Sequence, residues 1–330
     1  MLYGSGGVRY ATVPRDLGLA DEIVPGPGDT LFAAGAGWSA GISAFETARN
    51  QGARTVALCH DLIPVTHPHL YPPDIAASVR SYWRRTFPLL DRVIATSNCI
   101  ANDIRDYCQS EGIATPELVP CTLGFDPPGS PPPTAPLPGG LQPAAYALFV
   151  STIEPRKGHA MLLRAWSGLC ARGVPQRTGF RLVLVERRGW MVDDVMADLA
   201  NPDQYGGTVM HLRHVDDSVL EQLYRNAAFC LYPSHYEGFG LPIVEAFARG
   251  KPVLASTGGA VAETAGAFAP LLDPFDAAAW AGAIESWITA PAERAPYAER
   301  MQTRFHHSAW PEAAAGILDA AIAEMHQPSA

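Results

Sequence analysis

The chain has little of what would place it in a membrane, in a secretory pathway or on a nucleic acid. No apolar run approaches the about 18 residues of a membrane-spanning helix. The segment Met1–Gly7 lacks the charged and apolar regions of a signal peptide. Lys and Arg number 24 against 33 Asp and Glu, and the net charge of −9 gives no electrostatic footprint for nucleic acid. We therefore expect a cytoplasmic protein that has no nucleic-acid partner.

Cysteine and histidine are present, but their spacing is not that of a metal site. The six cysteines form no C-x-x-C pair, and the ten histidines do not combine with them at zinc spacing. Several cysteines end apolar runs, which is typical of buried reduced thiols. The sequence therefore predicts no metal ion. The cysteines are Cys59, Cys99, Cys108, Cys121, Cys170 and Cys230.

One local cluster of basic residues runs against the acidic balance of the chain. Arg80, Arg84 and Arg85 lie on one predicted helix. The simpler interpretation is a solvated helix face, and the alternative is contact with a membrane surface or with an acceptor phosphate.

A length of 330 residues and a hydrophobic fraction of 48% suit two α/β domains with buried cores. Prolines and glycines crowd the segment from Asp126 to Pro143, which can form neither a helix nor a central strand. The sequence therefore predicts an N-terminal domain over residues 1–126, a proline-rich linker over 127–144 and a C-terminal domain over 145–330.

After the linker, short apolar strands alternate with amphipathic helices. This alternation is typical of a parallel, doubly wound sheet. Asp276 is placed to cap a helix that begins at Ala277. A last helix is predicted at residues 311–325, where it can pack back on the N-terminal domain. The predicted strands are Tyr146–Val150, Arg181–Val185, Val209–Leu212, Ala228–Tyr232, Val253–Ala255 and Ala269–Leu272.

Before the linker the same alternation is shorter. A complete doubly wound half opens with a hydrophobic strand and a glycine-rich turn into a helix. Nothing before Thr30 reads as that unit, so we expect an N-terminal domain that lacks its first strand and helix or has a divergent form of them. Ser97 is placed as a helix N-cap. The predicted strands are Thr30–Ala34, Thr55–Cys59, Arg92–Thr96 and Glu117–Cys121, and the predicted helices are Gly41–Gln51, Ile75–Leu90 and Cys99–Ser110.

The segment Tyr236–Glu245 carries two glutamates, one on each side of a glycine-rich helix start. Gly240 frees the entry turn, and Pro242 suits the first helical position. Backbone N–H groups at such a start form a site for an anion such as phosphate. Glu237 and Glu245 can then accept hydrogen bonds from hydroxyls on both sides of that phosphate, as a nucleotide sugar presents them. The alternative is that the acids only complement the helix dipole.

A second charged loop, Glu154–His159, follows the first predicted strand of the C-terminal domain. Loops at the carboxyl ends of parallel strands line the crevice where open α/β sheets bind ligands. Lys157 can meet a diphosphate as a point charge and Arg156 as a fork. The alternative is a charged surface turn. Because this loop and Tyr236–Glu245 follow strands of one predicted sheet, they can face one ligand.

In their order along the chain, these pieces resemble the retaining glycosyltransferases of family 4. The resemblance runs from Leu148 to Asp276, and the N-terminal half matches more loosely at His60–Pro64 and Ala95–Ser97. It implies an α/β fold of the GT-B type, with two Rossmann-like domains facing a cleft. Within the family the chain looks most like bacterial mannosyltransferases that build polysaccharides. The matching pieces are Glu154–Gly158, Gly189–Val192, Leu220–Tyr224, Glu237 with Glu245, Gly250–Val253, Gly258–Gly259 and Glu263.

The resemblance also implies roles for individual residues. Lys157, with Arg156, would bind the donor diphosphate, and Glu245 would hold the ribose hydroxyls. Glu237 would contact hydroxyls of the transferred sugar. His60, from the opposing domain, would meet that sugar near the reacting carbon; the alternative is a histidine that ends a buried strand and bonds to the backbone. Backbone N–H groups for sugar and phosphate would come from Gly238, Phe239, Gly240 and Leu241.

The implied reaction transfers a hexose, with GDP-mannose as the first choice of donor, to a glycan or lipid-linked glycan with retention at the anomeric carbon. Lys157 and the helix start would stabilise the departing diphosphate, which would take the acceptor proton on the same face. Glu237 would position the sugar rather than act as a covalent nucleophile. Neither a metal nor a cofactor is implied. The expected setting is polysaccharide or lipopolysaccharide synthesis, cytoplasmic or peripheral on the inner face of a membrane.

Two positions depart from the family pattern. Thr152 stands where many relatives have an arginine beside the diphosphate, which leaves Lys157 and Arg156 to carry the positive charge. Glu186 stands where relatives usually have a glycine, and it adds bulk and negative charge near the predicted diphosphate site.

Two other functions are compatible with the same residues. A sugar-nucleotide epimerase of the GT-B type would convert the donor without an acceptor, although the ordered loop pieces argue against it. A weakly catalytic donor-binding subunit of a polysaccharide assembly is the alternative from a different class. The short N-terminal domain and Glu186 motivate it.

Overall fold

The computed structural model describes residues 25–35, 42–126, 136–201 and 203–324, which form two compact units. The first unit takes the described parts of Met1–Thr66, Asp74–Thr122 and Ala313–Ala330, and the second takes those of His67–Pro73 and Leu123–Glu312. The chain before residue 25, where a first strand was expected to be missing, and linker residues 127–135 lie outside the described residues.

The first unit is a parallel sheet with flanking helices. Its four described strands lie in the order β1-β2-β3-β4, so each strand pairs with its neighbour in sequence. The central strands β2 and β3 are almost wholly buried, which is typical of parallel strands covered on both faces. The elements are β1 (Thr30–Ala33), α1 (Ile42–Asn50), β2 (Arg54–Cys59), α2 (Ile63–Thr66), α3 (Pro73–Thr86), β3 (Arg92–Ala95), α4 (Asn98–Glu111) and β4 (Glu117–Pro120).

The second unit is built on a six-stranded parallel sheet with the order β10-β9-β8-β5-β6-β7. Counted from its own first strand, this is the doubly wound order of a Rossmann fold. The winding reverses between β5 and β8, so the loops that follow these two strands emerge side by side. The strands are β5 (Tyr146–Val150), β6 (Arg181–Val185), β7 (Val209–Leu212), β8 (Phe229–Tyr232), β9 (Val253–Ser256) and β10 (Leu271–Leu272).

The helices between and after these strands cover the sheet. The core is dense in large side chains, and Trp166, Trp280 and Phe229 are fully buried. The helices of the second unit are α5 (His159–Ala171), α6 (Val174–Thr178), α7 (Asp193–Ala200), α8 (Asp217–Asn226), α9 (Leu241–Ala248), α10 (Val261–Ala265), α11 (Ala277–Thr289) and α12 (Ala295–Arg304). The last helix, α13 (Trp310–Ile322), belongs to the first unit from Ala313 onward.

The end of α13 is bound to the sheet of the first unit. The last carbonyl groups of a helix have no partner within the helix, and their partial negative charge favours cations. Arg54 donates to the carbonyl of Ile322 at 2.9 Å, and the buried Arg92 donates to that of Ala323 at 3.0 Å. Arg92 also contacts Glu117 on β4 at 2.7 Å, so its charge is paired as well as hydrogen-bonded.

The prediction of an α/β chain with two Rossmann-like units is confirmed, and the strand bounds differ from prediction by a few residues. The largest difference is at β10, which begins at Leu271 rather than Ala269. Pro270 has no N–H to donate, and its carbonyl accepts from Ala255 instead. Ser97 and Asp276 cap α4 and α11, as predicted. The longest helices have 14 residues, and within the described segments none has the length and apolar character needed to cross a bilayer.

The cap of α4 gives a test of Ser97 as a purely structural residue. Its hydroxyl accepts from the backbone N–H of Ile100 at 3.1 Å. We expect Ser97→Ala to lower the free energy of unfolding by about 1 kcal/mol in urea denaturation, because the N–H loses its partner. Ser110→Ala on the exposed end of the same helix is the control, and we expect it to change stability by less than about 0.5 kcal/mol. Equal losses in the two variants would contradict the capping role.

Candidate functional site

The loops after β5 and β8 meet at the point where the winding of the second sheet reverses. The backbone N–H of His235 donates to the carbonyl of Arg156 at 2.6 Å and joins the two loops directly. Gly158 has a φ of 77°, and a Cβ there would lie 2.3 Å from the carbonyl oxygen of Pro233. Only glycine fits this position without moving the backbone, so Gly158 lets the loops approach this closely.

Three charged side chains form a buried cluster between the two loops. Lys157 Nζ lies 2.6 Å from Glu237 Oε1, and Arg156 Nη1 lies 2.7 Å from Glu237 Oε2. Arg156 Nε also contacts Glu154 Oε2 at 3.1 Å. The side chain of Glu237 is only 7% exposed, so most of this charge is shielded from water. The residues predicted to contact diphosphate and sugar are therefore bonded to one another.

The two cations determine the charge state of Glu237. Burial alone would raise the pKa of its carboxyl, but the Lys157 ammonium and the Arg156 guanidinium lower that pKa from 4.5 to about 2. The pKa of Glu154 is raised, because burial outweighs its contacts with the same cations. Glu237 is therefore the firmly ionised partner of Lys157 and Arg156 near neutral pH.

A third loop, after β9, fixes the backbone of Glu237 from the other side. Gly259 has a φ of 61°, and a Cβ there would lie 2.6 Å from the carbonyl oxygen of Glu237. The same carbonyl accepts from the N–H of Ala260 at 2.9 Å. The Gly258–Gly259 pair of the sequence pattern thus serves close approach between two loops.

The remaining predicted donor residues lie at the start of α9. Gly240 is the N-cap residue, and the helix begins at Leu241, one residue before the predicted Pro242. Glu245 is partly buried on this helix, and its Oε2 accepts from the hydroxyl of Tyr224 at 2.8 Å. Glu237 and Glu245 are thus engaged by different partners, one by two cations and the other by a neutral hydroxyl. The backbone positions predicted to serve the donor lie between them, at Gly238, Phe239, Gly240 and Leu241.

His60 lies in the first unit, directly after β2, whereas the other predicted site residues lie in the second. Its side chain is exposed, and its backbone carbonyl accepts from the hydroxyl of Thr96 at 2.8 Å. Its place directly after the buried β2 agrees with the alternative interpretation, a histidine that ends a buried strand. The predicted contact of His60 with the donor stays a prediction.

Glu186, which stands where relatives usually have a glycine, has a strained backbone conformation. It follows β6 with a φ of 121°, in a region that glycine adopts freely and other residues rarely. Its N–H and carbonyl are bonded to Leu212 and to the ring of His211, so the conformation is held from both sides. The fold thus keeps a conformation suited to glycine although the chain has a glutamate there.

A segment that the sequence assigned to the N-terminal domain contacts the second unit instead. Residues 67–73 belong to the second unit. The indole N–H of Trp190 donates to the carbonyl of Leu70 at 3.0 Å, and the Trp190 and Tyr71 ring centres lie 5.3 Å apart. The ring centres of His67 and Tyr236 are 4.3 Å apart, and Tyr236 directly precedes Glu237 in sequence. The density of aromatic and proline residues in 67–73 was the available signal for this missed contact.

Within the described residues, no group of three or more His, Cys, Asp or Glu side chains is placed to hold a metal ion. The expectation that the protein uses neither a metal nor a cofactor stays a prediction.

Two family profiles match the chain, and together they cover both units. The profile of group 1 glycosyl transferases matches residues 141–304, which include the charged cluster and α9. The profile of glycosyltransferase family 4 matches residues 30–115. Both profiles describe glycosyltransferases, and their matches in the two halves of the chain confirm the predicted resemblance to glycosyltransferases.

The curated relatives that match this chain are longer than it is. O-antigen chain mannosyltransferase B of Escherichia coli is 32% identical over 229 residues, which are 68% of this chain and 58% of the relative. Serotype-specific mannosyltransferase WbdA of Escherichia coli is 28% identical over 233 residues, which are 64% of this chain and 27% of the relative. The chain therefore spans less than two thirds of either relative.

Solved structures of the same fold include HepE of Anabaena in complex with UDP and glucose. The TM-score is 0.68 at 19% sequence identity, and the match covers 88% of this chain and 77% of HepE. At this identity the similarity shows the fold, and it confirms the predicted GT-B class.

Removing the charge of Glu237 should cost most of the stability that its ion pairs provide. Glu237→Gln leaves Lys157 and Arg156 buried without their counter-ion, and we expect it to lower the free energy of unfolding by about 3 kcal/mol at pH 7. A pKa lowered from 4.5 to about 2 corresponds to a similar value, about 3 kcal/mol. The measurement is urea denaturation, with Glu285→Gln in the exposed Arg172 pair as the control. The control should lose less than about 1 kcal/mol.

The same comparison has a defined pH dependence. Because the pKa of Glu237 is lower in the folded state, its contribution to stability is complete above about pH 4.5 and is lost as the pH falls toward 2. The stability difference between the wild-type protein and Glu237→Gln should therefore narrow between pH 6 and pH 3, by about 2 kcal/mol. A difference that stays constant over this range would contradict the lowered pKa.

The backbone conformation of Glu186 predicts a stabilising substitution. We expect Glu186→Gly to raise the free energy of unfolding by about 1 kcal/mol, because glycine adopts a φ of 121° without the steric cost. Glu186→Ala removes the charge but keeps the Cβ, so it should not reproduce the gain. Thermal and urea unfolding of the three proteins would check this, and equal stability of the Gly and Ala variants would contradict the strain.

Proposed function

We propose that this chain is a retaining hexosyltransferase that moves mannose from GDP-mannose to a growing glycan or lipid-linked glycan. The observation that carries the proposal is the Glu237–Lys157–Arg156 cluster at the winding reversal of the second sheet. Open α/β sheets bind nucleotides at this position. The choice of mannose rests on the relatives, because O-antigen chain mannosyltransferase B and WbdA, which are 32% and 28% identical to this chain over the matched residues, are mannosyltransferases.

The cluster is suited to exchange one anion for another. Without a ligand, Glu237 neutralises two cations that would be costly to bury alone. A donor diphosphate would offer the same cations a doubly charged partner, with Lys157 as a point charge and Arg156 as a fork. Binding would thus transfer both cations from the carboxylate to the phosphates, so that neither cation is left unpaired.

The exchange would give Glu237 its role at the sugar. Once its cations contact phosphate, the carboxylate oxygens become free to accept hydrogen bonds from the hydroxyls of the hexose. Lys157 and the start of α9 would stabilise the charge that develops on the departing diphosphate. The departing phosphate would take the proton of the acceptor hydroxyl on the same face of the sugar. Glu237 orients the sugar in this scheme and forms no covalent intermediate.

Two contacts with the donor are proposed on the resemblance alone. Glu245 would hold the ribose, and His60 would meet the transferred sugar near its reacting carbon. A peripheral membrane contact has less support. Arg80 and Arg84 both contact Glu111, at 2.7 and 3.0 Å, which supports a solvated helix face.

A donor panel tests the proposal directly. A bound donor raises the melting temperature by mass action, so GDP-mannose should stabilise the protein more than GDP-fucose, UDP-glucose or dTDP-glucose at equal concentration. Octyl α-mannoside and octyl α-mannobioside then serve as acceptor probes, and NMR of the product reports the anomeric configuration. Stabilisation by none of the four donors would contradict the proposal. Conversion of the donor without an acceptor would indicate an epimerase, and binding without transfer would indicate a donor-binding subunit.

The second lysine of the chain supplies a matched control for the diphosphate contact. Lys157→Met should weaken GDP-mannose binding about 10- to 100-fold, because a charged hydrogen bond to phosphate is lost. Lys251 lies in the same unit and donates to the carbonyl of Ala227 at 3.1 Å. Lys251→Met should bind the donor as the wild-type protein does. Each variant is compared with its own unliganded melting temperature, and an equal loss of binding in both would remove Lys157 from the site.

A further inference from the structure

The carboxylate of Glu245 is held by a buried tyrosine from the neighbouring helix α8. The hydroxyl of Tyr224 donates to Glu245 Oε2 at 2.8 Å, and Tyr224 is 1% exposed. Glu245 itself is only partly buried, and the tyrosine contacts one of its two carboxylate oxygens. In the part of the chain that the structure describes, no other group donates a hydrogen bond to this carboxylate.

The ring of Tyr224 is itself fixed by Arg249, the residue that ends α9. The guanidinium carbon lies 4.7 Å from the ring centre, within the range of a cation–π contact. Arg249 is held in turn by the buried Glu221, with Nε 2.7 Å from Glu221 Oε2, and its Nη1 donates to the backbone carbonyl of Glu245 at 2.7 Å. The phenol is thus supported by the same helix whose glutamate it contacts.

The hydroxyl of Tyr224 keeps its proton near neutral pH. Burial, and after it the charge of Glu245, raises the pKa of Tyr224 well above its ordinary value. A phenol that does not ionise has one proton to give, and here the carboxylate receives it.

We propose that Tyr224 is a positioning residue that directs the free oxygen of Glu245 toward the ribose hydroxyls of the donor nucleotide. The inference rests on the proposed function, because it takes Glu245 as the ribose ligand. The terminal torsion of a glutamate is broad, so a carboxylate without such a bond samples many orientations. With Oε2 tied to a fixed phenol, Oε1 points in one direction and is ready for a hydroxyl donor.

The test measures ribose preference, which we define as the dissociation constant of a deoxy analogue divided by that of the parent nucleotide. The probes are GDP and UDP, each with its 2′-deoxy and 3′-deoxy analogues, measured by calorimetry. We expect the wild-type protein to prefer the ribose of whichever parent it binds. Tyr224→Phe should lower that preference about 3- to 10-fold, with little change in the affinity for the deoxy analogues, because only the contact through Glu245 is weakened.

Tyr146 supplies a matched control, since it is another fully buried tyrosine of the same unit. Its hydroxyl donates to the backbone carbonyl of Leu223 at 2.6 Å. Tyr146→Phe removes the same atom with a similar cost in stability, and we expect it to leave the ribose preference unchanged. Should Tyr224→Phe not fold, Glu221→Gln takes its place, because it loosens Arg249 beneath the ring and should lower the preference in the same direction.

The outcomes separate this inference from the function on which it rests. A wild-type protein that binds neither GDP nor UDP would overturn the proposed function and the inference with it. A wild-type protein that binds one of them with ribose preference, together with an unchanged preference in Tyr224→Phe, would overturn the role of Tyr224 alone. Equal weakening of ribo and deoxy probes would do the same, since it would show a purely structural hydroxyl.

Discussion

The second unit depends on one buried carboxylate that neutralises two cations. Glu237 joins the loop after β8 to the loop after β5 through Lys157 and Arg156, and a backbone hydrogen bond runs beside these ion pairs. Removing one member of a buried ion pair leaves an uncompensated charge, which costs far more than the pair contributes while it is intact. Glu237 and its two cations therefore depend on one another for charge balance. The two loops cannot separate without leaving a buried charge unpaired or exposing it to water.

The glycines beside this cluster allow the loops to come close enough to form it. Charges attract strongly only when they are close, and the loops reach this distance because Gly158 and Gly259 present no Cβ to the facing carbonyl oxygens. Glu186 shows the opposite case, in which the chain keeps a glycine-like backbone conformation with a bulky acid. The fold tolerates the strain because hydrogen bonds on both sides of Glu186 hold it in place.

The sequence predicted the architecture well because the architecture follows from local patterns. Apolar runs of strand length and helix caps such as Ser97 and Asp276 depend on neighbours within a few positions, and they located the strands to within a few residues. The meeting of the β5 and β8 loops was also predictable, since carboxyl ends of parallel strands share one edge. The direct bonding of Glu237 to Lys157 was not, because it depends on strand order and side-chain rotamers across about 80 positions. The contact of residues 67–73 with Trp190 is long-range in the same way, and no periodicity records it.

The two glutamates of α9 and its entry loop look equivalent in the sequence, and their partners make them different. Glu237 is held by cations, so it can serve a sugar only after another anion has taken those cations. Glu245 is held at one oxygen by the hydroxyl of the neutral Tyr224, which leaves its second oxygen for another donor. A ligand with a ribose at one end and a hexose at the other would therefore meet a preformed contact at the nucleotide and a conditional one at the sugar. The diphosphate lies between them and would take the cations from Glu237. We therefore expect the protein to bind the nucleotide first and to recognise the hexose afterwards.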